Sequence, residues 1–111
     1  MEKNNILLTT CAVGDFYTEK VIKFLETDFS KNFNVHILTD EPLLFKGYNA
    51  QKYNQQPFNY FDKFIFGINK IHENKSLGLL YDADELCNLE RDFTSFDFDL
   101  NKIQFFQYWN E

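Results

Sequence analysis

The chain has 111 residues, a formal charge of −6, and 44% hydrophobic and 19% aromatic side chains; this length sets a ceiling of one domain, residues 1–111, and the aromatic content excludes a disordered or fibrous chain. Surface scaling gives a folded area of ~6,500 Å² against ~19,000 Å² for the unfolded chain, so about two-thirds of the surface can be removed from water. With a pI near 4.8 the molecule repels phosphate backbones and anionic lipid, so nucleic acid is not an expected partner, and any anionic ligand needs a local positive source such as a metal ion, a lysine or a helix N-terminus.

Residues Met1 to Asn5 mix acid and base, and Ile6-Leu7-Leu8 is far shorter than a signal-peptide core. No run approaches the ~20 apolar residues of a membrane span. The two cysteines, Cys11 and Cys87, form no CxxC pair and are too few for a disulfide scaffold. A cytoplasmic chain with reduced thiols is the expectation.

In chain order, the apolar, Thr-rich run Ile6–Ala12 predicts a buried strand. Tyr17, Val21, Phe24, Leu25 and Phe29 then recur at helical spacing, with Asp15 or Thr18 as the cap. The alternation Phe33-Asn-Val35-His-Ile37 predicts a second strand, stopped by Thr39-Asp-Glu-Pro42. Residues 43–58 carry Gly47, Pro57 and several Asn and Gln, and predict a loop with a short strand near Tyr48–Tyr53. Asn59 is placed to cap a second helix ending near Asn74. Its stripe of Phe61, Phe64, Ile65, Ile68 and Ile71 is expected in the core, as are the phenylalanines of the first helix. Leu77–Tyr81 suits a strand covered on both faces, and Ile103–Trp109 a late strand. This order predicts an α/β fold, a mainly parallel sheet with flanking helices. Such sheets take ligands beyond the carboxyl ends of their strands, where Thr10–Asp15 and Asp82–Asp84 would meet.

Asp82-Ala83-Asp84 is the sharpest chemical feature. Nine aspartates make about one chance D-x-D pair, the false-positive risk of so short a motif, and Asp97-Phe-Asp99 is a second copy. The second copy alternates with Phe96 and Phe98, as on an amphipathic strand with a solvated acidic face. The first follows a buried strand, where carboxylates at i and i+2 of an extended end point the same way and offer hard oxygens to Mg²⁺ or Mn²⁺. Alternatively Asp84 caps a short helix at Glu85–Leu89 and Asp82 is a turn residue. A DxDxT phosphatase-type site needs Thr where Leu86 stands, and a calcium loop fails at Leu86 and Cys87. Gly14 stands alone, so neither GxGxxG nor a P-loop is present. His36 and His72 suit surface or capping roles. Cys11 has no arguable His–acid partner and is better read as a small packed residue. Lys63 is either a solvated charge or a group that reaches phosphate.

Thr9-Thr10-Cys11-Ala12-Val13, Phe24-Leu25-Glu26-Thr27, Val35-His-Ile-Leu-Thr-Asp-Glu-Pro42 and Leu79-Leu80-Tyr81-Asp82-Ala83-Asp84 resemble, in that order, the nucleotide-binding half of GT-A-fold glycosyltransferases. They are most similar to the histo-blood-group and α-1,3-galactosyltransferase family and its bacterial relatives, over about residues 5–86. The resemblance implies a Rossmann-like half-fold and a retaining hexosyltransferase that binds a UDP-sugar donor with Mn²⁺ or Mg²⁺. Asp82 and Asp84 would hold the metal, which bridges the diphosphate. Cys11, Ala12 and Val13 correspond to the segment receiving uracil and ribose, and Phe16 or Tyr17 to an aromatic near the base. Lys63 stands where the family has an Arg near the donor sugar and phosphate, and Ala83 at a donor contact. Acceptor-binding and catalytic residues of the family fall in a second half that Arg91–Glu111 does not match, so no catalytic residue is assigned. The chain is then expected to be a fragment or a truncated form, with self-association covering exposed apolar surface. The other expectation is an interaction module that keeps the fold without turnover.

Overall fold

The computed structural model of the chain describes residues 6–75 and 78–95. The expected late strand Ile103–Trp109, the second D-x-D at Asp97 and Asp99, and Leu77 lie outside the described residues.

Strand β1 (Ile6–Ala12) leads into helix α1 (Asp15–Leu25), and a 3-10 turn at Phe29–Asn32 returns the chain to β2 (Phe33–Thr39). A second 3-10 turn, Pro42–Phe45, precedes the short β3 (Asn49–Lys52). Helix α2 (Tyr60–Asn74) then carries the chain to β4 (Gly78–Leu80), a 3-10 segment at Ala83–Asn88 and helix α3 (Leu89–Ser95). The strands form one sheet in the order β3-β2-β1-β4, and every pairing is parallel. The fold is therefore α/β, a parallel sheet with flanking helices in a Rossmann-like arrangement.

Strand alternation gives the sheet two unlike faces. Leu8 and Ala12 of β1 lie beside Val35 and Thr39 of β2, and with Phe33 and Ile37 they face Val21, Phe24 and Leu25 of α1 and Leu86 and Leu89 of the 3-10 segment and α3. Phe93 closes the lower end of this core, edge-on to Phe29 and Phe33 with ring centroids 6.1 and 5.6 Å away. Buried Asp92 accepts a hydrogen bond from the Tyr81 hydroxyl at 2.8 Å and an ion pair from Arg91 at 3.1 Å, which ties the end of β4 to α3. On the opposite face Leu38, Tyr53 and Phe66 form a smaller cluster with Cys11, Val13 and Phe58.

Several expectations change. Phe29 sits in the 3-10 turn, not in α1, and Tyr17 is exposed. Gly14, with φ 94°, occupies the cap position of α1, while Thr18 bonds backward to the Gly14 carbonyl at 2.8 Å. Strand β4 is a three-residue edge strand with Leu80 exposed, so it is not covered on both faces.

The largest correction concerns α2. Its Asn59 cap accepts from the Phe61 N–H at 3.0 Å, as expected. Of its apolar stripe Ile71 packs against Gly78 of β4, but the rest points away from the sheet: Phe61 is 72% exposed and Ile68 60%, and Phe64 and Ile65 are exposed too. What packs instead is the row Lys63, Phe66, Gly67, Lys70 and Ile71. A Cβ on Gly67 would lie 2.5 Å from Leu80 Cδ2 and 2.7 Å from Thr9 Oγ1, and one on Gly78 would strike Ile71. The two glycines let the helix backbone approach the sheet closely. The stems of Lys63 and Lys70 are mostly buried while their ammonium groups reach Asp82 and Glu73.

Candidate functional site

From β1 the chain moves to one side through α1 to β2 and β3, then returns over the opposite face through α2 to β4 on the other side of β1. The direction of winding reverses between β1 and β4, and the crevice beyond the carboxyl ends of those two strands is the topological switch point. The β1 end contributes Cys11, Ala12, Val13 and Gly14; the β4 end contributes Tyr81, Asp82 and Ala83; Asp40 follows β2.

The backbone of this crevice is firmly held. The Tyr81 N–H donates to the Thr9 carbonyl at 3.1 Å, which continues the β1–β4 pairing one residue past β4. The Gly14 N–H meets Asp40 Oδ1 at 3.5 Å, so the loops after β1 and β2 are joined. A Cβ at Gly14 would meet nothing within 4 Å, so its positive φ, not crowding, calls for glycine. Because Gly14 has no side chain, the first amides of α1 have no side-chain acceptor at the cap, the situation in which a helix N-terminus meets an anion.

Charge enters from α2. Tyr53, at the end of β3, accepts from the Asn59 N–H at 3.0 Å and donates to Asp62 Oδ2 at 2.7 Å, fixing the start of the helix. Burial pushes the Tyr53 phenol up, and the Asp62 carboxylate adds to that, so it remains a neutral donor. One residue after Asp62, Lys63 Nζ lies 2.6 Å from Asp82 Oδ1 and 5.3 Å from the ring centroids of Tyr60 and Phe64. The Cys11 thiol is pushed up to about 11, chiefly by burial; Lys63 pulls against this, while Asp82 and Asp40 add to it. Cys11 is thus a neutral packed thiol inside the field of Lys63, Asp82 and Asp40, as its reading as a packed residue requires.

The structure gathers Cys11, Val13, Lys63 and Asp82 at one crevice. Ala12 and Ala83 belong to the buried core beneath, so they can offer a ligand backbone, not side chain. Phe16 and Tyr17 stand exposed on the first turn of α1, edge to face with centroids 5.1 Å apart, and Lys20 Nζ lies 5.2 Å from the Phe16 ring centroid. Asp84 departs from the expected geometry. The extended backbone ends at Asp82 (ψ 146°), and Asp84 already belongs to the 3-10 segment, so the two carboxylates are not side by side. Asp84 instead lines a cavity of about 300 Å³ with Lys20, Lys23, Phe24 and Glu90. A helical segment does begin here, but its cap position is Asp82, not Asp84, and no side-chain bond closes it.

The acids are of the right kind for a hard divalent ion, and both are exposed. As placed, they address opposite sides, and Lys63 already serves Asp82 as its cation. Among the described residues no group of three His, Cys, Asp or Glu side chains converges. Asp40, Tyr53 and Asp62 were not singled out from the sequence. Asp40 had a usable signal, an acid directly after a strand beside the switch point; Tyr53 had none, because its role depends on where α2 docks.

No family model matches the chain, and no match to it is found among curated proteins or solved structures.

Proposed function

We propose that the crevice between β1 and β4 binds the diphosphate of a UDP-sugar, and that the chain is the donor-binding part of a metal-dependent hexosyltransferase. The observation that supports this most is the position of Lys63, a cation held 2.6 Å from Asp82 at the switch point of a parallel sheet. It brings a cation, paired with Asp82, to the switch point of a molecule whose net charge is −6. Lys63 is the residue that reaches phosphate in this reading, and the uncapped amides of α1 offer further donors. Val13 and the backbone of Cys11 and Ala12 line the nucleoside side, and Phe16 or Tyr17 offers a ring to the base. Asp82 and Asp84 are the residues that would hold Mn²⁺ or Mg²⁺, which would supply charge neutralisation to the leaving diphosphate. The sequence resemblance, not the present placement of Asp84, is what supports the metal.

Calorimetric titration of UDP with and without Mn²⁺ tests the reading. UDP is expected to bind with Mn²⁺ and at least about tenfold more weakly without it, a difference of ~1.4 kcal/mol. Asp82→Ala combined with Asp84→Ala is expected to remove the metal dependence. Binding that ignores both the metal and the double substitution overturns the proposal.

The reading as a binding module without turnover has one observation in its favour, the solvent-facing apolar stripe of α2. Release of UDP from a UDP-hexose separates the two: turnover at any measurable rate excludes the module.

A further inference from the structure

Tyr60, Phe61, Phe64, Ile65 and Ile68 form a band along the outer side of α2, and all five are exposed, Tyr60 at 65% and Ile65 at 54%. With about 200 Å² for a fully exposed aromatic side chain, the band presents on the order of 600 Å² of apolar surface, the upper end of what a monomer shows. Such a band, rich in aromatics and flanked by polar side chains, has the composition of an interface centre.

We propose that this band is a twofold interface between two copies of the chain, packed α2 against α2 in antiparallel orientation. Three observations favour a second copy as the occupant. The stripe Phe61, Phe64, Ile65, Ile68 is symmetric about the point between Phe64 and Ile65, in the amino-terminal half of the helix. A twofold axis there sets Phe61 against the partner's Ile68 and Ile68 against the partner's Phe61, the reciprocal contact that an isologous interface requires. The area also suffices: two such bands remove about 1,200 Å² from water, the lower bound of stable specific interfaces. Finally, both lysines beside the band are paired within each copy, Lys63 with Asp82 and Lys70 with Glu73. Two copies can therefore meet here without setting bare lysines against each other, whereas an anionic lipid surface would have to approach a molecule carrying −6. The interface does not rest on the UDP-sugar reading, although Tyr60 and Phe64 at its border lie 5.3 Å from Lys63 Nζ.

Sedimentation velocity of the full chain across a concentration series tests the proposal. A mass rising from the 13.3 kDa monomer to twice that value at micromolar concentrations is expected. Ile65→Glu combined with Ile68→Glu should hold the chain at monomer mass with an unchanged far-UV spectrum and melting temperature, because both side chains are exposed. Leu43→Glu, at a still more exposed apolar site elsewhere, should leave the dimer intact. If the double variant fails to fold, Ile65→Cys in a Cys87→Ser background gives a second route, with air oxidation expected to trap a disulfide-linked dimer across the axis. A wild-type chain that stays monomeric to its solubility limit overturns the proposal, whether other residues of the chain or lipid cover the band. So does a dimer that persists in the Ile65→Glu, Ile68→Glu variant, or an Ile65→Cys chain that does not cross-link.

Discussion

At the level of single residues, a cysteine at the carboxyl end of a central parallel strand is well placed for nucleophilic chemistry, and Cys11 is disarmed by its surroundings. Burial raises its thiol to about 11, and this outweighs the opposing pull of Lys63 and of the hydrogen bond with the Val13 backbone. Cys87, by contrast, is exposed. Iodoacetamide at about pH 8 should therefore modify Cys87 and spare Cys11, whose alkylation should rise only as pH approaches 11, since the thiolate is the reacting form. Peptide mapping by mass spectrometry reads this directly, and equal modification of both thiols at neutral pH would contradict it. Cys11 as a packed thiol was legible from the absence of a His–acid partner, and Asn59 as a cap from its type and position. The alternatives left open for Lys63 were not resolvable locally, because its partner Asp82 is nineteen positions away and only the docking of α2 brings them together. Asp82 and Asp84 illustrate the opposite error. Spacing i and i+2 implies a shared direction only while the backbone stays extended, and here the 3-10 segment starts between them.

At the level of elements, α2 shows what hydrophobic periodicity does and does not report. The period of Phe61, Phe64, Ile65, Ile68 correctly announces a helix, yet it does not say what the apolar face meets. The sheet selects the other side because Gly67 permits a closer approach than any phenylalanine would, and because lysine stems cover apolar surface while their charges reach partners at the edges. Gly67→Ala tests this. On an exposed helix the substitution would stabilise by about 1 kcal/mol; here its methyl would have to displace Thr9 and Leu80, and overpacking of this kind costs ~1–3 kcal/mol. A net loss of stability in urea denaturation is expected, and a gain would mean that α2 does not sit on the sheet as described. Strand β4 was expected to be longer and fully covered. An edge position follows from the crossover through α2, which no local pattern encodes, and that position leaves Leu80 at the surface.

At the scale of the whole molecule, the alternation of strand and helix patterns made the α/β class and the parallel sheet legible from the sequence. Strand order was not, since the side on which β4 joins β1 depends on the hand and direction of a long crossover. That order matters most for function: with β4 beside β1, the ends of the two strands that carry the resemblance segments Thr9–Val13 and Leu79–Asp84 become neighbours, and Lys63 reaches Asp82 there. The central claim is that this crevice holds the diphosphate of a UDP-sugar. Backbone amide shifts of the labelled chain during titration with UDP and Mg²⁺, a diamagnetic ion, test it most directly. The account predicts perturbation of Val13 to Thr18, Asp40, Lys63 and Asp82 to Asp84, with Ile65 and Ile68 on the outer band unmoved. Unchanged spectra at saturating UDP, or shifts confined to the Lys23–Glu90 cavity, would contradict it.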